Sequence, residues 1–289
     1  MSTQPETRPL VARSGAAFAT RALSTVVLLG AVGWVIFGAP LWIFGMTAVA
    51  FVGVGLHEFF SMVERQGVFL YRTLGLVIGI IIPLSILGSF EPTRGWELVL
   101  MVAAVLALFT LQLTRQDSSQ TIVGIGTVLF GIFYVSWCLS FIIKLRFLGV
   151  TGVDGRWVVA FLILVTKAGD IGAYLVGSLI GRHPLIIQVS PSKTWEGLAG
   201  GLVCSLATAF ALSPHMPQAV SRWHLLALGV ILGIAAQLGD LSESLVKRDC
   251  RVKDSGQLFP GIGGVLDLID SLLFTAPLCY FYLRYFVFR

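Results

Sequence analysis

Charged residues are scarce in this chain, because Asp, Glu, Lys and Arg together make up 12% of its 289 residues. The polar stretches between its apolar runs are too short to fold as a separate soluble domain, so a single domain is predicted. Cysteine is also rare. The four cysteines lie far apart and mostly within apolar runs, which indicates neither a disulfide framework nor a paired zinc motif.

Apolar residues, in contrast, make up 56% of the chain, and the mean hydropathy is +0.88. A helix needs about 20 mainly apolar residues to cross the hydrocarbon core of a bilayer. We therefore predict an all-α, polytopic integral membrane protein with about nine transmembrane helices. Residues 1–21 are expected to form a cytoplasmic N-terminal tail, and residues 22–289 a single transmembrane domain. The predicted spans are Ala22–Ala39, Leu41–Met62, Leu74–Phe90, Trp96–Leu113, Ile122–Phe147, Trp157–Ile180, Trp195–Leu212, Trp223–Lys247 and Val265–Phe288.

The net charge of +5 is better explained by membrane topology than by nucleic-acid binding, since basic residues accumulate in cytoplasmic loops. With the N-terminus inside, 12 of the 20 Lys and Arg residues lie on the cytoplasmic side and seven on the other. This orientation, with the C-terminus outside, places the loops at residues 182–193 and 247–264 on one cytoplasmic face.

Ionisable residues cluster near the eighth and ninth predicted helices, where isolated charges are costly and commonly mark a working site. Asp240, Glu243 and Lys247 are spaced to share one helix face, and Asp267 and Asp270 form a second acidic stripe. Carboxylates from two helices joined by a short loop can hold Mg²⁺, which prefers oxygen ligands. The alternative is a structural ion pair between Lys247 and Glu243.

The loop between these helices combines cations with glycines. Its basic residues could anchor the protein to anionic lipid or bind the phosphates of a substrate. Glycines at the start of the next helix favour the second possibility, because they let a phosphate approach backbone N–H groups. The basic residues are Lys247, Arg248, Arg251 and Lys253, and the glycines are Gly261, Gly263 and Gly264.

This stretch resembles the signature of phosphatidate cytidylyltransferases, also called CDP-diacylglycerol synthases. The matching residues are Ser244, Lys247, Arg248, Lys253, Asp254, Gly256, Phe259, Pro260, Gly263, Gly264, Asp267 and Asp270. A second block is similar to another segment of the family, through Ser190, Pro191, Lys193, Thr194, Trp195, Glu196 and Gly197. A third, shorter run matches through Asp170, Ala173, Tyr174 and Gly177. The chain departs from the signature at two positions, with Ile262 where the family commonly has His and Leu268 where it commonly has Arg.

The resemblance implies transfer of a cytidylyl group from CTP to phosphatidic acid, which gives CDP-diacylglycerol and pyrophosphate in phospholipid biosynthesis. It implies Mg²⁺ as the cofactor, with one or two cations, held mainly by Asp240 and Asp267 and further by Asp170 and Glu243. Asp240, Asp267, Lys247 and Asp270 are then the expected catalytic residues. The nucleotide and its phosphates would be bound by Ser190, Lys193, Lys247, Arg248, Lys253, Gly263 and Gly264.

The expected location is a bacterial inner membrane, and the resemblance makes a homodimer plausible. Two alternatives stay open. One is a related CTP-dependent transferase or kinase that acts on another polar lipid, to which the two signature departures point. The other is a transporter, which would also carry ionisable residues within its helices, although the sequence shows no paired inverted repeat. Glu58, near the end of the second predicted helix, is interpreted either as a site residue or as a helix-end hydrogen-bond partner.

Overall fold

The computed structural model describes residue 27 and residues 29–89, 95–116, 119–148, 154–259 and 263–288. Ten α-helical segments and one β-hairpin follow one another along these residues. The helical segments are α1 (residues 29–37), α2 (Leu41–Glu64), α3 (Arg72–Ser89), α4 (Trp96–Leu113), α5 (Thr121–Gly131), α6 (Cys138–Phe147), α7 (Gly155–Ile180), α8 (Trp195–Ala211), α9 (Arg222–Asp249) and α10 (Val265–Tyr282). A π-helical turn, Ile132–Trp137, joins α5 to α6, and a second one, Leu283–Val287, extends α10.

The predicted helical, polytopic membrane class is confirmed. Six helices of the described chain are long and apolar enough to cross a membrane: Leu41–Glu64, Trp96–Leu113, Thr121–Phe147, Gly155–Ile180, Arg222–Asp249 and Val265–Val287. The predicted spans at Leu74–Phe90 and Trp195–Leu212 correspond to shorter apolar helices. The first predicted span, Ala22–Ala39, lies partly outside the described residues, and the tail at 1–21 lies wholly outside them.

One element was not predicted. The stretch before α8 forms an antiparallel hairpin of β1 (Pro184–Ile186) and β2 (Ser190–Thr194), where the sequence analysis expected only a loop. Thr194 ends β2 and caps α8, since its hydroxyl accepts a hydrogen bond from Gly197 N at 3.1 Å. Threonine is a common residue at this capping position of a helix. The hairpin therefore fixes where α8 begins.

Small residues allow the helices that carry the ionisable side chains to pack closely, as is common in membrane bundles. A Cβ atom added at Gly172 of α7 would lie 2.5 Å from Cys204 Sγ of α8. One added at Gly239 of α9 would lie 2.6 Å from the backbone oxygen of Asp270 in α10. A larger residue at either position would push these helices apart. The second contact brings the backbone next to Asp240 up against Asp270.

A buried ion pair joins α4 to α6, near the end of the bundle opposite to Asp240 and Asp270. Lys144 is only 5% exposed, and its Nζ lies 2.6 Å from Glu97 Oε2. Trp137 Nε1 donates to the same carboxylate oxygen at 2.8 Å. Apart from Ala104 and Leu108, the described side chains of α4 are not buried. The polar contacts of Glu97 therefore help to hold this peripheral helix.

Candidate active site

Three carboxylates meet where α9 and α10 pack together. Asp240 and Glu243 lie one helical turn apart on α9, and Asp270 lies on α10. Each offers one oxygen, and these three oxygens lie within 4.8 Å of one another. We call this group the acidic centre. Glu243 is fully buried, Asp270 is 7% exposed, and Asp240 is partly exposed.

The acidic centre has the donor set of a divalent-cation site. Hard cations such as Mg²⁺ take carboxylate oxygens, and three carboxylates this close together repel one another unless positive charge is placed between them. Glu243 Oε1 is buried and has no hydrogen-bond partner within the described part of the chain. A buried carboxylate oxygen without a partner is costly. An ion at the acidic centre would satisfy it.

Two lysines contact the acidic centre, and a third lies close to it. Lys193, at the end of the hairpin, lies with its Nζ 2.7 Å from Asp240 Oδ2. Lys247 forms an ion pair with Glu243, as the structural alternative predicted, but its Nζ also lies 2.7 Å from Asp267 Oδ1. Lys167 of α7 lies 3.2 Å from Asp170 Oδ2 and donates to Ser271 Oγ at 2.9 Å. Positive charge thus already borders the acidic centre on several sides.

The structure places Asp267, predicted as a principal metal ligand, beside the acidic centre rather than within the three-carboxylate group. Its Oδ2 accepts hydrogen bonds from Gly264 N at 2.7 Å, from Ser255 N at 3.0 Å and from Ser255 Oγ at 2.8 Å. These contacts cap the first turn of α10 and fasten it to the preceding loop. Asp267 touches the acidic centre through Lys247, and its role as a metal ligand stays a prediction.

Asp170, the other predicted ligand outside the acidic centre, lines a cavity of about 430 Å³ together with Asp240. Ser190 and Lys193 line the same cavity, which lies between α7, the hairpin, α8 and α9. Asp170 Oδ1 is buried and lacks a hydrogen-bond partner in the described chain. The cavity therefore offers a serine hydroxyl, an ammonium group and unsatisfied carboxylate oxygen to a ligand, next to the acidic centre.

The other predicted phosphate-binding residues lie in and around the loop between α9 and α10. Arg248 and Lys253 are exposed, and Arg248 Nε makes a long contact, 3.4 Å, to Val189 O of the hairpin. Gly263 has φ of 122°, which a residue with a side chain rarely adopts, and Gly264 immediately precedes α10. Gly261 and the signature departure Ile262 lie outside the described residues.

Glu58 is the site-forming residue whose role the sequence left undecided. It is 8% exposed, and its carboxylate accepts hydrogen bonds from Val265 N at 3.0 Å, Leu266 N at 2.8 Å and Ser255 Oγ at 3.1 Å. The helix-end interpretation is thus the one observed, but the helix end belongs to α10 rather than to α2. The signal in the sequence was an acidic residue within an otherwise apolar span.

The chain is similar in sequence to known proteins. The sequence profile described as "Cytidylyltransferase family" matches residues 19–286 of the chain. A phosphatidate cytidylyltransferase of Synechocystis sp. (strain ATCC 27184 / PCC 6803 / Kazusa) is 34% identical over 273 residues, which cover 83% of this chain and 88% of the relative. One of Bacillus subtilis (strain 168) is 34% identical over 246 residues, 84% of this chain and 89% of the relative. The protein YnbB of Escherichia coli (strain K12), described as uncharacterized, is 37% identical over 206 residues, 71% of this chain and 69% of the relative.

Proposed function

The chain belongs to the cytidylyltransferase family, and we propose that it transfers the cytidylyl group of CTP to phosphatidic acid, giving CDP-diacylglycerol and pyrophosphate. The observation that carries this proposal is the buried group of Asp240, Glu243 and Asp270 with lysines on its borders. Carboxylates and ammonium groups in this arrangement suit a reaction between two anionic phosphates. The named relatives support the choice of phosphatidic acid.

In the proposed reaction, an oxygen of the lipid phosphate monoester attacks the α-phosphorus of CTP. A new P–O bond forms, the bond between the α-phosphorus and the bridging oxygen breaks, and pyrophosphate leaves with that electron pair. A phosphate monoester is largely dianionic near neutral pH, so the attacking oxygen needs no protein base. The work of the protein is to position the two substrates and neutralise their charge.

We assign the parts of that work to individual side chains. Asp240, Glu243 and Asp270 would hold Mg²⁺, with Asp170 and Asp267 as further predicted ligands. Once bound, Mg²⁺ supplies charge stabilisation to the transferred and leaving phosphates. Lys193 and Lys247 would exchange part of their contact with carboxylates for contact with phosphate oxygens. Ser190, Arg248, Lys253 and the N–H groups at Gly263 and Gly264 are the remaining predicted phosphate contacts.

The proposed arrangement in the membrane is nine crossing helices in a single catalytic domain with the N-terminus in the cytoplasm, in a bacterial inner membrane. The hairpin and the loop between α9 and α10 would then face the cytosol, where CTP is available. Phosphatidic acid would reach the acidic centre from the bilayer without removing its acyl chains. A homodimer stays a prediction of the family resemblance.

The test is a conversion assay on purified protein in detergent. Radiolabelled CTP and dioleoyl phosphatidic acid should give a labelled CDP-lipid and one pyrophosphate per lipid, and the reaction should stop when Mg²⁺ is chelated. Asp240→Asn and Glu243→Gln should each lower kcat by at least about a hundredfold, which is the size of effect expected for losing charge stabilisation in the transition state. Glu64→Gln is the matched control, because this carboxylate pairs with Arg72 at a partly exposed position.

The controls separate a catalytic from a structural effect. Each variant should keep the elution volume and melting temperature of the wild type to within a few degrees. A wild-type protein that releases no pyrophosphate with CTP and phosphatidic acid would refute the proposed reaction. Full activity in Asp240→Asn and Glu243→Gln would instead refute the assignment of the acidic centre.

A related enzyme with another lipid substrate is the second candidate, and it is favoured by the signature departures. Leu268 stands one residue after Asp267, at a position where the family commonly has a cation, so the charge near the substrate differs. A panel of phosphorylated lipids, assayed with CTP under identical conditions, distinguishes the two. If phosphatidic acid gives the highest kcat/KM, the first candidate stands. If another lipid exceeds it at least tenfold, the second replaces it.

A further inference from the structure

Tyr134 lies in the π-helical turn between α5 and α6, and neither the signature nor the proposed mechanism uses it. The residue is 6% exposed, and its hydroxyl is buried with no hydrogen-bond partner among the described residues. Single π-helical turns inside longer helices are frequent at functional sites, because the wider turn redirects side chains. A buried hydroxyl without a partner destabilises the folded protein unless something else binds it.

The ring of Tyr134 packs within an aromatic cluster next to the acidic centre. The ring stacks on Phe130 with 5.3 Å between centroids and makes edge contacts with Phe59 at 6.4 Å and Phe274 at 6.5 Å. Phe274 lies four residues after Asp270, so it lies one turn along the same face of α10. The Tyr134 ring therefore packs against a residue that lies one helical turn from Asp270 of the acidic centre.

The aromatic cluster around Tyr134 borders an apolar groove. Its members Phe59 and Phe130 line this groove, which has a volume of about 640 Å³ and lies between α2, α5 and α9. Most of its other lining side chains are apolar, among them Val63, Ile122 and Leu245. Ile122 and Leu245 are themselves largely exposed on the outside of the protein. From the groove to the acidic centre, the protein changes from apolar to charged. A lipid substrate changes in the same order, from its acyl chains to its phosphate.

We propose that Tyr134 is a substrate-binding residue for the lipid, and that its hydroxyl donates a hydrogen bond to a phosphate oxygen of the lipid substrate when that phosphate lies at the acidic centre. The neutral phenol is a donor to an anionic acceptor, which is stronger than a bond between neutral groups. The lysines and the loop cations would serve mainly the nucleotide. This inference rests on the proposed function.

We assign Tyr134 to the lipid rather than to CTP because it belongs to a different part of the structure from the predicted nucleotide contacts. The predicted nucleotide contacts belong to the hairpin and to the loop between α9 and α10. Tyr134 instead comes from the middle of the long apolar helix spanning Thr121–Phe147, and its ring contacts are aromatic. Tyr134 thus packs on Phe59 and Phe130, which line the apolar groove, and not on the residues predicted to bind CTP.

The test is a kinetic comparison of Tyr134→Phe with the wild type, in mixed micelles of detergent and dioleoyl phosphatidic acid. The KM for the lipid should rise about tenfold or more, whereas the KM for CTP should change less than twofold. Tyr282→Phe is the matched control. It removes the same atom from a tyrosine whose hydroxyl bonds His224 at 3.0 Å, near the far end of α10.

A stability measurement excludes a purely structural role. Because the Tyr134 hydroxyl is buried without a partner in the described part of the chain, Tyr134→Phe should melt at or above the wild-type temperature, whereas a structural hydroxyl would leave the variant less stable. A KM for the lipid within twofold of wild type, or an equal rise in both KM values, would overturn the inference. So would a melting temperature clearly below that of the wild type.

The outcome also stays separable from that of the proposed function. If wild-type protein does not use phosphatidic acid but uses another phosphorylated lipid of the panel, the same comparison is made with that lipid. A rise in KM there would support Tyr134 while refuting phosphatidic acid as substrate. Turnover of phosphatidic acid with unchanged kinetics in Tyr134→Phe would do the reverse.

Discussion

Lys247 neutralises more of the buried negative charge at the site than any other side chain described, because it contacts two carboxylates. Its Nζ contacts both Glu243 and Asp267, and the Glu243 carboxylate is fully buried. Removing one member of a buried ion pair leaves its partner uncompensated, which costs about 3–5 kcal/mol. Lys247→Met should therefore lower the free energy of unfolding by about 3 kcal/mol, as measured by chemical unfolding in detergent, and should abolish turnover.

A double variant tests this reason for the loss. In Lys247→Met with Glu243→Gln, one of the uncompensated carboxylates is gone, so more than half of the lost stability should return while activity stays absent. Arg65→Met is a suitable control, since Arg65 is exposed on a turn after α2. If the double variant is no more stable than Lys247→Met alone, the buried charge is not the cause of the loss.

The sequence predicted part of this residue pattern and missed the rest for a physical reason. Asp240, Glu243 and Lys247 could be placed on one helix face, because helical spacing depends only on local geometry. The different surroundings of Asp267 and Asp270 could not be predicted in the same way. Asp267 is also held by Ser255 of the preceding loop, a contact that arises only when the loop folds back.

At the scale of elements, Glu58 holds the start of α10 from another helix. The first N–H groups of a helix have no partner within it, and Glu58 accepts from two of them as well as from Ser255 Oγ. Glu58→Ala should lower the free energy of unfolding by about 3 kcal/mol, since buried donors would lose their acceptor. The KM for CTP should rise as well, because the loop before α10 loses an anchor.

The matched control is Glu64→Ala on the same helix. Glu64 pairs with Arg72 at 2.8 Å with both side chains partly exposed, so its loss should cost less than about 1 kcal/mol. Unfolding curves in detergent and CTP titrations measure both variants. Equal stability and equal KM in Glu58→Ala and Glu64→Ala would show that Glu58 does not hold α10.

Hydropathy was sufficient to predict the long helices but not the hairpin. The long apolar run Trp96–Leu113 was placed to the residue, because a helix in hydrocarbon must satisfy its own backbone groups. The hairpin of β1 and β2 was missed, since its two strands have only three and five residues and each contains a proline. Its pairing depends on contacts with α8 that local sequence does not reveal.

At the scale of the whole molecule, the Lys144–Glu97 ion pair and the acidic centre lie towards opposite ends of the helix bundle in the described part of the chain. Lys144 and Glu97 lie near the end of α6 and the start of α4, on the side that the predicted orientation places outside. The acidic centre and the hairpin lie on the side predicted to be cytoplasmic. The hairpin beside the site comes before α8, and a short loop follows α8 on the other side. If α8 crosses the membrane, the side on which Gln188 of the hairpin lies is therefore the side on which the site opens, and Gln218 of the loop lies on the opposite side.

Labelling a matched pair of cysteine variants tests this orientation. Gln188→Cys in the hairpin and Gln218→Cys after α8 change the same residue type at two exposed positions. In intact bacterial spheroplasts, a membrane-impermeant maleimide should label Gln218→Cys, whereas Gln188→Cys should react only after permeabilisation. The reverse pattern would place the site outside. Labelling of both from outside would show that α8, at 17 residues and about 25 Å, does not cross the membrane.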